Sequence, residues 1–199
     1  MTETEPKRVQ KPTPNIKILA FQPLDFSFMN IKDIRDLPKC EPRITTGINL
    51  VIHKSRSGKW ITQTLKVNNN QIEDIASIPS VVGELFENIS KLTWLDVSCN
   101  KISAVPNTIC NLKSLRIIYM HGNEIKTFQD VSRLKPLSGL SKLTLHGNPV
   151  EKEKGYFHTV LSILPNLITL DFTGISPVDQ QTAALIKRPY YQSKRSKQE

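Results

Sequence analysis

The residues best suited to hold a metal ion are two histidines, His121 and His146, which lie in matching Met-His-Gly-Asn and Leu-His-Gly-Asn stretches. Side chains at matching positions of neighbouring repeats lie close together, and imidazole is a common zinc ligand. A closed zinc site needs further ligands, however. His53 and His158 have no matching position, and Cys99 is predicted to serve packing. We therefore expect no bound metal and no cofactor.

The sequence also lacks the residue patterns needed for nucleotide binding and for nucleophilic catalysis. The eight glycines lie at least eight positions apart, whereas phosphate-binding loops need glycines much closer together. Gly58 and Lys59 form a Gly-Lys pair without an upstream glycine, which predicts a solvated turn. Asp96 and Asp171 are predicted on strands, yet no nucleophile and base are spaced to join them. We expect no catalytic residue and no enzymatic activity.

A set of aromatic and charged residues indicates a different chemistry, that of protein binding. Trp94, Ile117 and Tyr119 alternate with apolar residues, so we expect them on the concave face of two adjacent strands. Large aromatic side chains beside charged ones are typical of binding hot spots. The alternative is that the N-terminal segment folds back over this face. The predicted partner-binding residues of the face are Lys66, Trp94, Asp96, Arg116, Ile117 and Tyr119.

Repeated stretches of sequence position these residues. Residues 92–102 (LTWLDVSCNKI), 115–125 (LRIIYMHGNEI) and 140–150 (LSKLTLHGNPV) all fit the pattern LxxLxLxxNxL. A weaker copy covers 62–72. A terminal copy runs from Leu167 through Leu170 and Phe172 and has Ile175 in place of the asparagine. The pattern is typical of leucine-rich repeats, and it predicts an α/β solenoid with a short parallel sheet on the concave face, a helical or 3₁₀ convex side and a helical C-terminal cap.

One asparagine in each repeat is predicted to hold the coils together. Its side-chain amide turns the chain after the strand and bonds backbone groups that would otherwise be unpaired. The asparagines of this ladder are Asn70, Asn100, Asn123 and Asn148, at intervals of 30, 23 and 25 residues. The shorter intervals leave room for a turn or 3₁₀ segment, and the longest for a helix with Val81, Leu85 and Ile89 on one side.

Two helical segments are predicted to close the C-terminal end. The first covers 156–164 and stops at Pro165. The second begins at Ser176 as N-cap, with Pro177 in its first turn, and ends at Arg188 before Pro189. We expect its apolar residues to cover the last coil; these are Val178, Leu185 and Ile186.

The first 43 residues contain no recognisable repeat but are rich in apolar residues. Phe21, Phe26 and Phe28 lie within eight positions of one another. Such a segment either caps the open first coil or anchors the protein on a partner, so the three phenylalanines are candidate partner-binding residues. The predicted division is an N-terminal extension over 1–43, a repeat domain with caps over 44–188 and a basic tail over 189–199.

The charge of the chain favours an acidic partner. Of the formal net charge of +9 in 199 residues, residues 1–58 carry +4 and residues 189–199 carry +2. Basic ends suit an acidic protein surface, anionic lipid or nucleic acid. The longest apolar runs are too short to cross a bilayer, the first residues do not resemble a secretory signal, and three cysteines without CxxC spacing do not indicate disulfides. We expect a cytoplasmic protein without a membrane partner.

Several stretches outside the repeat pattern resemble one family. They are PLDFSF at 23–28, EPR at 41–43, KSRSGKWITQTLKVNNN at 54–70 and LHGNPVEKEKGY at 145–156. Together with the repeats they are similar to the family of leucine-rich-repeat-containing protein fifty-one. The resemblance implies a non-catalytic protein of the cilium or flagellum.

The resemblance and the charge together favour docking on the axoneme. The expected partners are tubulin or axonemal proteins, with the basic extensions on an acidic surface and a helix or extended peptide on the concave face. The alternative is a subunit of a nuclear RNA–protein scaffold, whose concave face holds a partner helix and whose tail contacts RNA. The preferred hypothesis involves neither nucleic acid nor a small-molecule substrate.

Overall fold

Nine short strands form the frame of the described part of the molecule. The computed structural model describes residues 22–43 and 53–195, with side chains as far as residue 186. The strands are β1 Leu24–Asp25, β2 His53–Lys54, β3 Trp60–Ile61, β4 Thr64–Lys66, β5 Trp94–Asp96, β6 Ile117–Tyr119, β7 Lys142–Thr144, β8 Thr169–Leu170 and β9 Thr173–Gly174. Seven of them form a sheet in the order β1-β4-β5-β6-β7-β8-β9, in which every pair is parallel except β8 with β9. This sheet confirms the predicted leucine-rich-repeat solenoid.

One apolar residue from each parallel strand lies beside its equivalent in the next strand. Parallel strands stack about 4.8 Å apart, and alternate side chains point to the same side of the sheet. The repeat pattern therefore places one leucine or isoleucine of every strand in a continuous row inside the molecule. The row consists of Leu24, Leu65, Leu95, Ile118, Leu143 and Leu170, none of which is exposed to solvent.

The described part of the N-terminal segment is itself a degenerate first repeat. β1 pairs in parallel with β4, and Phe26 and Ile31 are buried in the same core. A 3₁₀ helix over Ile34–Lys39 adds Ile34 and Leu37 to that core. The prediction that residues 1–43 contain no repeat was therefore wrong for residues 22–43. These residues cap the first complete repeat by burying apolar area that an open end of the solenoid would expose.

Asparagine side chains join neighbouring coils. Nδ2 of Asn123 donates to the carbonyl oxygens of Val97 and Met120 at 3.0 and 2.9 Å. Its Oδ1 accepts from the N–H of Ile102 at 3.0 Å. Because these backbone groups are buried, each would be costly to leave unpaired. Equivalent bonds are formed by Asn70, Asn100 and Asn148.

The convex side follows the length of each repeat. The 30-residue interval contains α1, Ile78–Leu85, with Val81 and Leu85 buried, but Ile89 belongs to a separate 3₁₀ turn over Ile89–Lys91. The 23-residue interval contains a 3₁₀ helix over Asn107–Asn111. The 25-residue interval was predicted to hold only a turn or 3₁₀ segment and instead contains α2, Phe128–Ser132. Thr127 explains the difference, because its side chain caps the Asp130 N–H at the start of the helix.

The C-terminal end is closed by a 3₁₀ turn over Pro149–Lys152 and by helices α3, Tyr156–Ile163, and α4, Pro177–Arg195. Ser176 caps α4, with its Oγ accepting from the N–H of Asp179 at 3.2 Å. The predicted end of this helix before Pro189 was wrong. Proline at this position has no N–H to donate to the carbonyl of Leu185, so α4 continues past Pro189 with one backbone hydrogen bond fewer.

The side of α4 that packs on the last coil also differs from the prediction. Val178 and Leu185 are 68% and 63% exposed, and Ile186 is 38% exposed. Ala183 is the buried residue instead, next to Leu161 and Leu167. A small residue lets α4 approach α3 closely, which leaves the larger apolar side chains facing outward. None of the described helices is long and apolar enough to cross a membrane.

Candidate binding site on the concave face

Trp94, Ile117 and Tyr119 meet at the centre of the sheet. The register pairs Trp94 with Ile117, and places Tyr119 one strand from Trp94 at the other end of β6. The rings of Trp94 and Tyr119 meet edge to face with their centroids 5.6 Å apart. All three side chains are half-buried, so each keeps part of its surface open. The buried Nε1 of Trp94 has no hydrogen-bond partner among the described residues.

Cationic side chains line the side of the face where the strands begin. Arg116 precedes β6 and Lys142 begins β7; both are exposed, and neither forms a salt bridge with a described residue. Gly139 leaves room for the guanidinium, because a Cβ there would lie 1.9 Å from Nη1 of Arg116. Lys66 lies at the opposite end of its strand and is less available, since its Nζ lies 3.8 Å from Oδ2 of Asp25. The open positive charge thus lies at Arg116 and Lys142, and sequence reasoning had not selected Lys142.

Asp96 is almost completely buried and so has little surface to offer a binding partner. It is 6% exposed, and its Oδ1 accepts from both the N–H and the hydroxyl of Ser98, at 3.1 and 2.6 Å. Its prediction as a partner-binding residue is therefore corrected. The carboxylate caps the turn after β5, a role that the strand pattern alone does not reveal.

Phe172 extends the aromatic surface across two further repeats. Its ring meets Tyr119 edge to face at 5.4 Å between centroids and lies 6.0 and 5.7 Å from His121 and His146. It is 62% exposed. We call this connected surface the aromatic ridge; it consists of Trp94, Tyr119, His121, His146 and Phe172.

A chain reversal places Phe172 on the ridge. The terminal repeat pattern predicts Phe172 inside the molecule, which is wrong because Asp171 and Phe172 form the turn between β8 and antiparallel β9. Both have positive φ, 50° and 63°. Two-residue hairpin turns of this kind favour asparagine, aspartate and glycine. Asp171 was therefore the residue from which this turn could have been predicted. A phenylalanine there carries backbone strain of about 1–3 kcal/mol, and such strain is often found at functional sites.

Asp171 holds the turn in place. Its Oδ1 accepts from the N–H groups of Leu145 and His146 at 2.6 and 2.9 Å, where a further parallel strand would otherwise bond. Its Oδ2 accepts from the hydroxyl of Tyr156 at 2.7 Å. Burial, followed by the bond to Asp171, raises the pKa of Tyr156 far above its usual value, so this phenol remains a neutral donor.

The histidines lie in a stack rather than in a metal cage. The rings of His121 and His146 are 4.6 Å apart and inclined by 7°. Burial and the neighbouring His146 lower the pKa of His121. The described residues contain no group of three or more side chains able to hold a metal ion. Cys99, predicted to serve packing, is exposed, since its positive φ of 53° turns it outward from the coil.

The N-terminal phenylalanines have separate environments. Phe26 is completely buried, so its prediction as a partner contact is corrected: it is a core residue of the first repeat. Phe28 is 67% exposed and lies under the Arg43 guanidinium, 5.5 Å from the ring centroid. Phe21 lies outside the described residues. The described part of the segment pairs with β4, at the edge of the sheet away from Phe172.

Comparison with known proteins agrees with this geometry. A family model described as leucine rich repeat matches residues 62–125. Leucine-rich repeat-containing protein 51 of Macaca mulatta is 39% identical over 175 residues, which cover 88% of this chain and 90% of that protein. The chain belongs to the leucine-rich repeat-containing protein 51 family. The Mus musculus and Homo sapiens members are 41% and 40% identical over 166 residues, covering 83% of this chain and 85% of each relative.

A solved structure shares the fold at greater distance. The Drosophila melanogaster SNF/U2A′ complex contains a chain with a TM-score of 0.56 and 16% identity, over 72% of this chain and 92% of that one. At that identity the likeness shows the fold alone. Leucine-rich repeat proteins are in general non-catalytic modules for protein interaction, and the concave face described here has the composition of such a surface.

Proposed function

We propose that this member of the leucine-rich repeat-containing protein 51 family is a non-catalytic binding module of cilia that docks on axonemal tubulin or an axonemal protein complex in the cytoplasm of the cilium or flagellum. The observation that carries the proposal is the aromatic ridge lying beside the unpaired cations of Arg116 and Lys142. Aromatic anchors supply most of the affinity of protein interfaces, while charges at the rim select an acidic partner. The ciliary location rests on the family resemblance in the sequence.

The basic extensions add a second attachment in this proposal. Residues 1–58 and 189–199 carry most of the net charge, and tubulin presents an acidic surface. Exposed charge pairs are screened over about 8 Å at physiological ionic strength. Retention through them therefore falls with salt, whereas retention through the aromatic ridge depends on salt much less.

Sedimentation of the full-length protein with isolated axonemes in a salt series tests the proposal. Wild-type protein is expected to pellet at low salt and to leave gradually as salt rises. Changing both Arg116 and Lys142 to glutamine should weaken retention at low salt and flatten the salt dependence. Lys101→Gln is the matched control, because Lys101 is also exposed but follows the ladder asparagine Asn100. Absence of wild-type protein from the pellet at every salt concentration contradicts the proposal.

The SNF/U2A′ likeness favours a second candidate, a subunit of a nuclear RNA–protein scaffold. In this alternative the concave face holds a partner helix, and the basic tail contacts RNA. The two candidates differ in where the protein resides. A tagged full-length protein in ciliated cells is expected along the axoneme, and concentration in the nucleus with loss on ribonuclease treatment would favour the scaffold instead.

A further inference from the structure

Two polar atoms, the Nε2 atoms of His121 and His146, lie at the outer edge of the histidine stack on the aromatic ridge. In both rings Nδ1 faces a side chain of the next repeat, Thr144 for His121 and Asp171 for His146, and these two residues follow the same register. Because both Nδ1 atoms face the next repeat and the ring planes are nearly parallel, the two Nε2 atoms are directed to the same side. Neither Nε2 has a hydrogen-bond partner among the described residues, and neither is buried.

Thr144 determines which nitrogen of His121 carries the proton. The Oγ1 of Thr144 accepts from the N–H of Met120 at 3.3 Å, and the proton of this buried hydroxyl has no acceptor among the described residues other than Nδ1 of His121, 2.9 Å away. A neutral imidazole that accepts at one nitrogen carries its proton on the other. The lowered pKa of His121 keeps the ring neutral near pH 7. His121 therefore presents an Nε2–H donor to the partner side.

Asp171 imposes the opposite arrangement on His146. Its Oδ1 lies 3.3 Å from Nδ1 of His146, and a carboxylate can only accept, so Nδ1 carries the proton. In the neutral ring Nε2 is then an acceptor. The outer edge of the stack consequently offers one donor and one acceptor side by side.

We propose that this histidine pair binds the side-chain carboxamide of an asparagine or glutamine in the partner segment held by the concave face. The carbonyl oxygen accepts from Nε2–H of His121, and the amide N–H donates to Nε2 of His146. A carboxylate would instead meet the lone pair of His146. Phe172 and Tyr119, which touch the stack, supply apolar contact for the residue next to the carboxamide. This inference rests on the proposed concave-face binding and names the chemistry that the face selects.

Selection of random short peptides displayed on phage against the full-length protein tests this site. Near neutral pH the selected peptides should contain asparagine or glutamine next to an apolar residue, and aspartate or glutamate in that place would overturn the inference. His121→Phe and His146→Phe keep an aromatic stack and should each bind the neutral-pH peptides about tenfold more weakly. His53→Phe, changed on the remote strand β2, should bind as wild type does.

The outcomes separate this inference from the proposed function. Peptides that need Trp94 but bind His146→Phe as tightly as wild type overturn the carboxamide site alone. Peptides that bind Trp94→Ala unchanged argue against the concave face itself. Long-range proton–nitrogen NMR of the wild-type imidazoles gives an independent result, with Nε2–H expected in His121 and Nδ1–H in His146. The same tautomer in both rings would overturn the inference without any variant.

Discussion

Asn70 donates from Nδ2 to the backbone carbonyl of Phe26, 2.9 Å away, and accepts at Oδ1 from the N–H of Ile31 at 3.0 Å. This side chain thus adds to the pairing of β1 with β4 in joining the N-terminal segment to the first complete repeat. The bonds place Phe26 in the core with no exposed surface, while Phe28, two residues later, is 67% exposed. The first coil is therefore part of the folded domain and not an appendage to it.

Phe26→Ala should destabilise the protein far more than Phe28→Ala. Removing a fully buried phenylalanine costs about 3–5 kcal/mol, because apolar contact is lost and a cavity remains, whereas exposed positions change stability by about 0.5 kcal/mol or less. Urea unfolding followed by circular dichroism measures both. Equal losses in the two variants would show that the N-terminal coil is not packed as described.

Asn123→Ala should destabilise the whole solenoid by about 1–3 kcal/mol, since three buried backbone groups lose their partner. Asn68→Ala is the matched control. Asn68 lies in the same kind of turn, but its buried Oδ1 has no hydrogen-bond partner among the described residues. Its loss should be close to neutral. An unchanged melting temperature for Asn123→Ala would contradict the role of the ladder.

Trp94→Ala and Tyr119→Ala should each weaken axoneme binding by about 2 kcal/mol or more, as central aromatic residues of interfaces do. Both side chains are half-buried on the open face, so the melting temperature should change little. Trp60→Ala, on the separate β2–β3 hairpin, should leave binding intact. Quantitative sedimentation against increasing axoneme concentration gives the affinities. A Trp94→Ala protein that unfolds instead would identify Trp94 as a core residue.

Phe172→Asn should maintain or raise stability while weakening partner binding. Asparagine tolerates positive φ better than phenylalanine, and the lost side chain was mostly exposed. Strain of about 1–3 kcal/mol is thereby partly relieved, while the aromatic ridge loses its end. Thermal unfolding and axoneme sedimentation on one preparation separate the two effects. A clear drop in melting temperature would show that the ring stabilises the fold rather than serving binding.

His121 should make the folded protein sensitive to mild acid. Its pKa is lower in the folded protein than in the unfolded chain, so the unfolded chain binds the proton more tightly. The stability gained by keeping this ring neutral is complete above the unfolded pKa of ~6.5 and is lost as the pH falls through it toward the folded value. The melting temperature of His121→Phe should therefore fall less than that of wild type between about pH 7.5 and 5.5. His53→Phe should follow the wild-type curve.

The solenoid could be predicted from sequence because its repeats keep one leucine spacing, but the first coil was missed. Leu24, Phe26 and Ile31 have the same spacing as Leu65, Val67 and Ile72. Met29, however, stands at the position of Asn70, and an alignment anchored on asparagine does not recognise the repeat. Among the described residues no coil precedes this one, so an amide at Met29 would have no backbone groups of an earlier coil to bond.

The residues at the centre of the concave face could be predicted from the sequence, but Phe172, at one end of the face, could not. Trp94, Ile117 and Tyr119 lie where alternation along the strands puts them. Alternation fails for Phe172, since two residues of positive φ reverse the chain before the strand pattern is complete. The alternation of side chains along a strand also does not indicate how deeply each is buried. Asp96 lies on the same face and was therefore expected to be exposed, whereas its hydrogen bonds to Ser98 hold it in the turn. Such local bonds arise from side-chain geometry that spacing does not encode.

The antiparallel strand β9 restricts how a protein of this kind can change in size over evolution. A further repeat would need a parallel strand beside β8, the edge that β9 already occupies. Tandem duplication of the last repeat would therefore produce a segment with no edge to join unless the hairpin were lost as well. The interior between β4 and β8 accepts gains and losses of repeats more readily, because each coil there offers the same row of apolar residues and the same asparagine bonds to its neighbours.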